Sequence, residues 1–384
     1  MAGSLGDYRQ QEMSLSQKLW QVNWGLLLLI TMIACVGFGM LYSAANGSWD
    51  PWASRQMLRF GVGLVLMLVI ALIDIRHWLR FAYLLYAVGF VLLIGVEFFG
   101  TQGMGAKRWL DFAVFRVQPS EVMKIAMVLA LARYFHGVAQ EEIGRPSRLI
   151  MPILMVILPV LLILRQPDLG TALMLVIGSG VVFFLAGVRW WKFALVIAAA
   201  LGSLPVAWQF LRDYQKQRVL TFMDPERDPL GAGYHITQSK IAMGSGGVFG
   251  KGFIQGTQSH LSFLPEKQTD FIFTMLAEEF GLVGGVTLMG LYFLLMVYGL
   301  AIAVQSRSQY GRLVALGLTT TVSLYVFINI AMVMGVIPVV GVPLPLVSNG
   351  GTAMMTVLIA FGLIMNVYIH REVKISRRWS DPLA

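Results

Sequence analysis

The chain has 384 residues, of which 57% are hydrophobic and only 13% charged, with a formal net charge of +9. Mean hydropathy is +0.71, and apolar runs recur from end to end, which excludes a soluble domain, where about a quarter of residues would be charged, and marks a polytopic membrane protein. The basic residues form no solvated patch or RNA-binding motif, so no nucleic acid partner is expected, and the lone Cys35 sits inside an apolar run with no disulfide or metal partner.

Residues 1–22 are polar and are read as a cytoplasmic N-terminal segment. "YSAA" at Tyr42–Ala45 imitates a signal cleavage site, but the run before it is span length, so it is expected to stay. About ten apolar segments follow in order, with cores at 24–44, 58–74, 81–97, 119–135, 149–164, 170–188, 192–210, 271–303, 313–337 and 352–369. Arg9, Lys18, Arg76, Arg80, Arg145, Arg148, Arg189, Lys192, Arg307 and Arg312 fall on one side of these spans, and residues 371–384 make a basic tail on that side too. The positive-inside rule then places both termini in the cytoplasm, although Arg55, Arg59, Lys107, Arg108 and Arg116 on the other side make the bias modest. The expected fold is therefore an all-α membrane domain over 23–370, with about ten transmembrane helices.

Two segments on the outer side depart from the span pattern. Residues 211–270 form a large extracytoplasmic loop between the seventh and eighth spans; it keeps apolar anchors such as Phe249, Phe253 and Leu264 and is read as an ordered cap on the membrane surface. The second is "IPVVGVPLPLVSNGGT", Ile337 to Thr352, where Pro338, Pro343 and Pro345 forbid a regular helix. Irregular backbone at membrane depth must be buried in protein or line a wet cavity. No internal repeat supports an inverted-repeat transporter.

Candidate site residues run through the chain in the same order. Lys107 and Arg108 in "GAKRWLDF" offer cationic donors suited to phosphate, or to lipid headgroups beside Trp109. In "QPSEVMKIAM", Pro119 and Ser120 start a helix, and Glu121 and Lys124, spaced i, i+3, share one face of it. Ionisable residues inside a span point to a site, against the alternative of an interfacial pair with Lys124 snorkelling. In "RQPDLGT", Asp168 suits a helix cap after a tight turn. "DPERDPLGAGYH" hints at a cation loop, but Pro229 occupies the position where an EF-hand needs glycine. "GSGGVFGKG" resembles a phosphate loop but lacks its first glycine and its terminal Ser or Thr.

The stretch "FLPEKQTDFIF" sets Glu266, Lys267 and Asp270 against the start of the eighth apolar run. Asp270 there is either a helix cap or a general base flanked by Lys267 at the membrane mouth. Glu278 and Glu279, just inside that run, either line the same cavity as Asp270 or reach the interface.

Together "QPSEVMK", "RQPDLGTA", "DPLGAGYHITQSKIAMGSGG", "FLPEKQTDFIF", "AEEFGLVG" and "GVPLPLVSNGG" resemble the SEDS family (shape, elongation, division and sporulation) from the first span to the tenth. The run "NIAMVMGVIPVVGVPLPLVS" is similar to its elongation branch rather than its septal one. One departure is that the family usually reads "PLVSYGG", and Asn349 replaces the tyrosine. The resemblance implies a peptidoglycan glycosyltransferase that polymerises lipid II on the outer face of a bacterial inner membrane, with a class B penicillin-binding protein as crosslinking partner and lipid tails in grooves between helices. It implies that Asp270 matches the family's essential loop aspartate, Glu121 and Lys124 its paired charges, and Arg108 a required outer-loop arginine. Ser120, Asp168, Arg218, Lys240 and Ser348 fall in family motifs and are expected to contact substrate.

The chemistry then expected is deprotonation of an acceptor hydroxyl by Asp270, with Arg108, Lys124 or a divalent cation (Mg or Mn) offsetting the pyrophosphate charge. Glu121 would hold Lys124, and no nucleotide cofactor is required. A lipid II flippase is the runner-up, although polar candidates on the cytoplasmic side are few. A non-catalytic scaffold of the elongation complex is third, and it leaves Asp270, Glu121 and Lys124 unexplained.

Overall fold

The structure is a computed structural model that describes residues 14–103, 106–112, 115–210, 216, 220–224, 232–260 and 266–376. In chain order its helices are α1 (Leu15–Trp20), α2 (Trp24–Ala44), α3 (Ala53–Leu72), α4 (Ile75–Phe99), α5 (Pro119–Gly137), α6 (Pro146–Arg165), α7 (Leu169–Ala186), α8 (Trp190–Phe210), α9 (Ala232–Ser245), α10 (Thr257–His260), α11 (Ile272–Gln305), α12 (Gln309–Val333) and α13 (Gly351–Ile369). Each of the ten apolar runs falls on one of these helices. Eight of them, α2–α4, α6, α7 and α11–α13, are long and apolar enough to cross a membrane. The other two are α5, which carries Glu121, Lys124 and Arg133, and α8, whose apolar stretch is the shorter Trp190–Ser203.

A small antiparallel sheet interrupts the helical pattern between α4 and α5: β1 (Thr101–Gly103), β2 (Ala106–Phe112) and β3 (Phe115–Val117), in that order. The sequence reading contained no strands, because runs of three to seven residues carry no periodicity of their own. The sheet is held both by a contact to α4 and by an ion pair between its own strands. Leu110 is buried beside Gly95 of α4, and Asp111 faces Arg116 across β2 and β3 with Oδ1 2.5 Å from Nε.

α5, α12 and α13 form the centre. Nearly every residue of α5 is buried, and α13 packs tightly on α3, where an added Cβ on Gly362 would lie 2.9 Å from the Met67 carbonyl. Small residues at such crossings let helix backbones approach where lipid supplies no hydrophobic drive.

The described part of the 211–270 loop is ordered against this bundle. On α9, Ile236, Ser239 and Ala242 recur every third residue and are buried. The Ser239 hydroxyl lies 2.7 Å from Thr274 Oγ1 and donates to the Val333 carbonyl at 2.7 Å, joining α9 to α11 and α12. Further along, α11 is broken at Gly281 (φ 65°, ψ −161°). The peptide groups released there are satisfied by residues 247–252: Leu282 and Val283 donate to the Gly247 and Val248 carbonyls at 3.0 and 3.1 Å, and Lys251 and Gly252 donate back to Glu278 and Glu279 at 3.0 Å each. A Cβ on Gly250 would stand 2.1 Å from the Glu279 oxygen, so only glycine permits this contact. The stretch that resembled a phosphate loop is thus the backbone partner of a broken membrane helix.

Candidate active site

The first turns of α5 bring Glu121 and Lys124 to the same buried face. The Lys124 ammonium donates to Glu121 Oε1 at 2.7 Å and to the Tyr325 hydroxyl of α12, and that hydroxyl donates to Glu121 Oε2. Side-chain exposures of 2% and 6% rule out snorkelling and make this a closed three-membered network. The ammonium also lies 4.2 Å from the centre of the Tyr325 ring. Ser120 is buried in the same turn. Tyr325 was missed by sequence reasoning. Its signal is weak: Tyr325 and Asn329 are polar groups one turn apart in an apolar helix.

The α6–α7 turn closes the network on one side. Asp168 is the N-cap of α7, accepting from the Thr171 amide at 3.2 Å and the Thr171 hydroxyl at 2.9 Å, and Gln118 Nε2 donates to it at 3.3 Å. Gln118 is itself the residue that starts α5, so the cap fixes α7 against the Glu121–Lys124 turn. Arg108 reaches in from β2. It donates to the Gln166 and Pro167 carbonyls at 3.3 and 2.5 Å and stands 4.0 Å from Asp168, with 27% of its side chain still exposed.

The Pro-broken segment 337–350 lies on the other side. The Val340 carbonyl packs on Gly170 in the first turn of α7, and Val342 joins a buried cluster with Met174, Tyr325 and Ile328. Between them Gly341 (φ +71°) faces Asp270: a Cβ there would lie 3.4 Å from the Asp270 carboxylate. Asp270 is half-buried at the end of the 266–270 turn, and the cap position of α11 falls one residue later, on Phe271. Ser348 ties the segment to this turn. Its hydroxyl donates to the Thr269 carbonyl at 2.6 Å and accepts from the Leu344 amide at 2.8 Å, while the Asn349 amide donates to Gln268 at 2.8 Å. The Asn349 side chain, where the family motif has tyrosine, accepts from Arg59 at 3.3 Å.

One short piece of irregular chain, residues 340–342, therefore has Asp270 on one flank and the Tyr325-bridged pair, Asp168 and α7 on the other. Lys240 is exposed on α9 and lies against Gly335, where that irregular chain begins. Arg218 lies outside the described residues. Three charges close to Asp270 in sequence have partners of their own elsewhere. Lys267 donates to the Ser259 carbonyl at 2.9 Å, and burial holds its ammonium below the usual lysine range. Glu278 is fully buried and accepts from Lys251, from the Gln258 and Ser259 amides and from the Ser259 hydroxyl at 2.6–3.1 Å. Glu279 accepts from Ser43 at 2.5 Å and meets His260 at 3.0 Å. The expectation that these two glutamates line the Asp270 cavity or reach the interface is corrected: both are buried, and they clamp residues 251–260 to α11 and α2. Among the described residues no three of His, Cys, Asp or Glu gather to hold a metal ion.

A family model described as cell cycle protein, spanning the FtsW, RodA and SpoVE proteins, matches residues 17–373. The chain belongs to this family. The peptidoglycan glycosyltransferase MrdB of Escherichia coli K12 is 44% identical over 350 residues, covering 90% of this chain and 94% of that protein. Among solved structures, a chain from a peptidoglycan synthase complex that coordinates polymerization and crosslinking superposes with TM-score 0.80 at 33% identity, covering 94% of this chain and 99% of that one. The rod-shape-determining protein RodA of Thermus thermophilus superposes with TM-score 0.69 at 30% identity, covering 91% and 97%. These relatives are of nearly the same length, since the chain covers 94%, 99% and 97% of them.

Proposed function

We propose that this chain is a peptidoglycan glycosyltransferase of cell elongation, polymerising lipid II into β-1,4 glycan strands with Asp270 as general base. Family membership and the glycosyltransferase relatives support the activity. The observation that carries the residue assignment is the Asp270 carboxylate set against Gly341, with no side chain on that residue between it and the irregular segment. In this reading Asp270 takes the proton from the acceptor's 4-hydroxyl as that oxygen attacks the donor's anomeric carbon. The bond to the α-linked pyrophosphate breaks, the lipid pyrophosphate leaves with its electron pair, and the configuration inverts to β. Arg108, part-exposed, is the cation placed to meet phosphate, and Lys124 holds a positive charge beneath the site.

Ser120, Asp168, Arg218, Lys240 and Ser348 are assigned as the surrounding substrate contacts, with Asp168 and Ser348 acting through the backbone they fix. A divalent cation (Mg or Mn) is the alternative source of charge, and the substrate's own phosphates would have to supply much of its coordination. The partner is a class B penicillin-binding protein, supported by the structural likeness to a chain of a polymerising and crosslinking complex. Segments 1–22 and 371–384 are assigned to the cytoplasm and the site to the outer face of the inner membrane, on the distribution of Lys and Arg.

The test uses purified protein with its penicillin-binding partner and labelled lipid II, run on a gel beside Asp270→Asn. Polymer from the parent and none from the folded variant is expected. Polymer from both at equal rates would remove Asp270 from the chemistry. No polymer from either would shift the reading to lipid II transport or to a non-catalytic scaffold.

A further inference from the structure

We infer that Asn329 is a positioning residue for the proposed reaction: its amide locks the Asp270 backbone to the irregular segment and so sets where the Asp270 carboxylate stands. Asn329 is fully buried on α12. Its Nδ2 donates to the Asp270 carbonyl at 3.0 Å and to the Val342 carbonyl at 2.7 Å, spending both amide protons. These acceptors fix the amide's orientation, since the Oδ1 atom turned toward two carbonyls would be repelled. Neither carbonyl belongs to a regular element. Asp270 ends a turn and Val342 lies between two prolines, so each needs a donor from elsewhere. The Asn329 Oδ1 is buried without a hydrogen-bond partner among the described residues, a cost the fold carries while the Nδ2 is fully used.

The position of Asn329 on its helix gives the tie its consequence. Tyr325 is one turn earlier on the same face and holds Glu121 and Lys124. A single rigid turn of α12 therefore grips both halves of the site, the base through Asn329 and the buried ion pair through Tyr325. Without the Asn329 amide, the Asp270 peptide loses its direct tie to residues 341–342, and the neighbouring bonds from Ser348 and Asn349 to residues 268–269 hold the segment one step away from the carboxylate. A displacement of about 1 Å in a reacting group costs on the order of 100-fold in rate. This inference rests on Asp270 as the general base.

A second buried asparagine provides the control. Asn366 does similar backbone work far along the chain from these groups, its Nδ2 sharing its two protons among the Ile70 and Ala71 carbonyls, at 3.2 and 3.0 Å, and that of Ile73. Asn329→Leu, Asn366→Leu and Asp270→Asn are compared in the purified complex, with rates normalised to folded protein. The expected result is a kcat about 100-fold lower for Asn329→Leu with its KM for lipid II within about twofold of the parent. The acid limb of its pH–rate profile should also move, because the carboxylate's surroundings change, while Asn366→Leu should lower thermal stability and leave kcat and the pH profile unchanged. Should Asn329→Leu not fold, Asn329→Ser, small enough to admit a water in place of the amide, is read by the same split. An inactive Asp270→Asn beside Asn329 variants with parental kcat and pH profile would overturn this inference alone. A fully active Asp270→Asn would overturn it together with the general-base reading.

Discussion

Glu121 and Lys124 are neighbours on one helix turn, and each is tolerable in the interior only because the other is there. The Tyr325 hydroxyl completes the pair by accepting from the ammonium and donating to the carboxylate. Removing one partner leaves an uncompensated buried charge, and Lys124→Met alone should cost about 3–5 kcal/mol. Glu121→Gln/Lys124→Met together should recover much of that stability while glycan polymerisation stays lost, a separation visible by thermal unfolding and gel assay on the same preparations. His370, just past α13, offers a pH test. Its Nδ1 lies 2.9 Å from the Asn366 carbonyl, and burial lowers its pKa from the ordinary 6.5. The unfolded chain therefore binds a proton that the folded one resists. Stability is complete above 6.5 and is lost as pH falls through the lower folded value. The midpoint of unfolding in detergent should drop on acidification from about pH 7.5 to about pH 5, and His370→Gln should flatten that slope.

At the scale of elements, the decisive object is α11, a membrane helix interrupted at Gly281 and repaired by the chain between α9 and α10. Its freed amides and carbonyls find partners in residues 247–252, and Glu278 and Glu279 on the preceding turn hold the following stretch through Lys251, Ser259 and His260. Gly281→Ala forces an alanine into φ +65° against the Gly250 backbone, which should cost on the order of 1–3 kcal/mol. The expected consequence is a detached loop, read as several-fold faster proteolysis between residues 246 and 260 and a fall in polymerisation. Unchanged cleavage would mean that the loop is held elsewhere. Segment 337–350 is the companion element. Its prolines remove it from any helix, and the bonds from Ser348, Asn349, Gln56 and Asn329 replace the ones a helix would have supplied.

For the molecule as a whole, the distribution of basic residues predicts that both termini face one compartment and the β2 strand and the α9–α10 region the other. Single cysteines at 18, 107, 251 and 374 in a Cys35→Ser background should divide accordingly under a membrane-impermeant thiol reagent, with 107 and 251 labelled in spheroplasts and 18 and 374 protected. Labelling of 18 alone would break the even span count. The solved structure that superposes on this chain with TM-score 0.80 comes from a peptidoglycan synthase complex described as coordinating polymerization and crosslinking.

Much of this protein was determined by its sequence alone. The ten apolar runs, the proline-broken segment, the isolated Glu121–Lys124 pair and Asp270 at the edge of a span are all local statements, enforced by the cost of exposing polar groups to lipid. Tertiary structure decided which of these meet. The Tyr325–Glu121 bond spans 204 positions and the Asn349–Arg59 contact 290, distances at which no periodicity carries information. It also gave Lys267, Glu278 and Glu279 partners in residues 251–260 and α2 despite their closeness to Asp270 in sequence. Sequence set where charge could not be left unpaired; only the packed bundle fixed which partner each charge received.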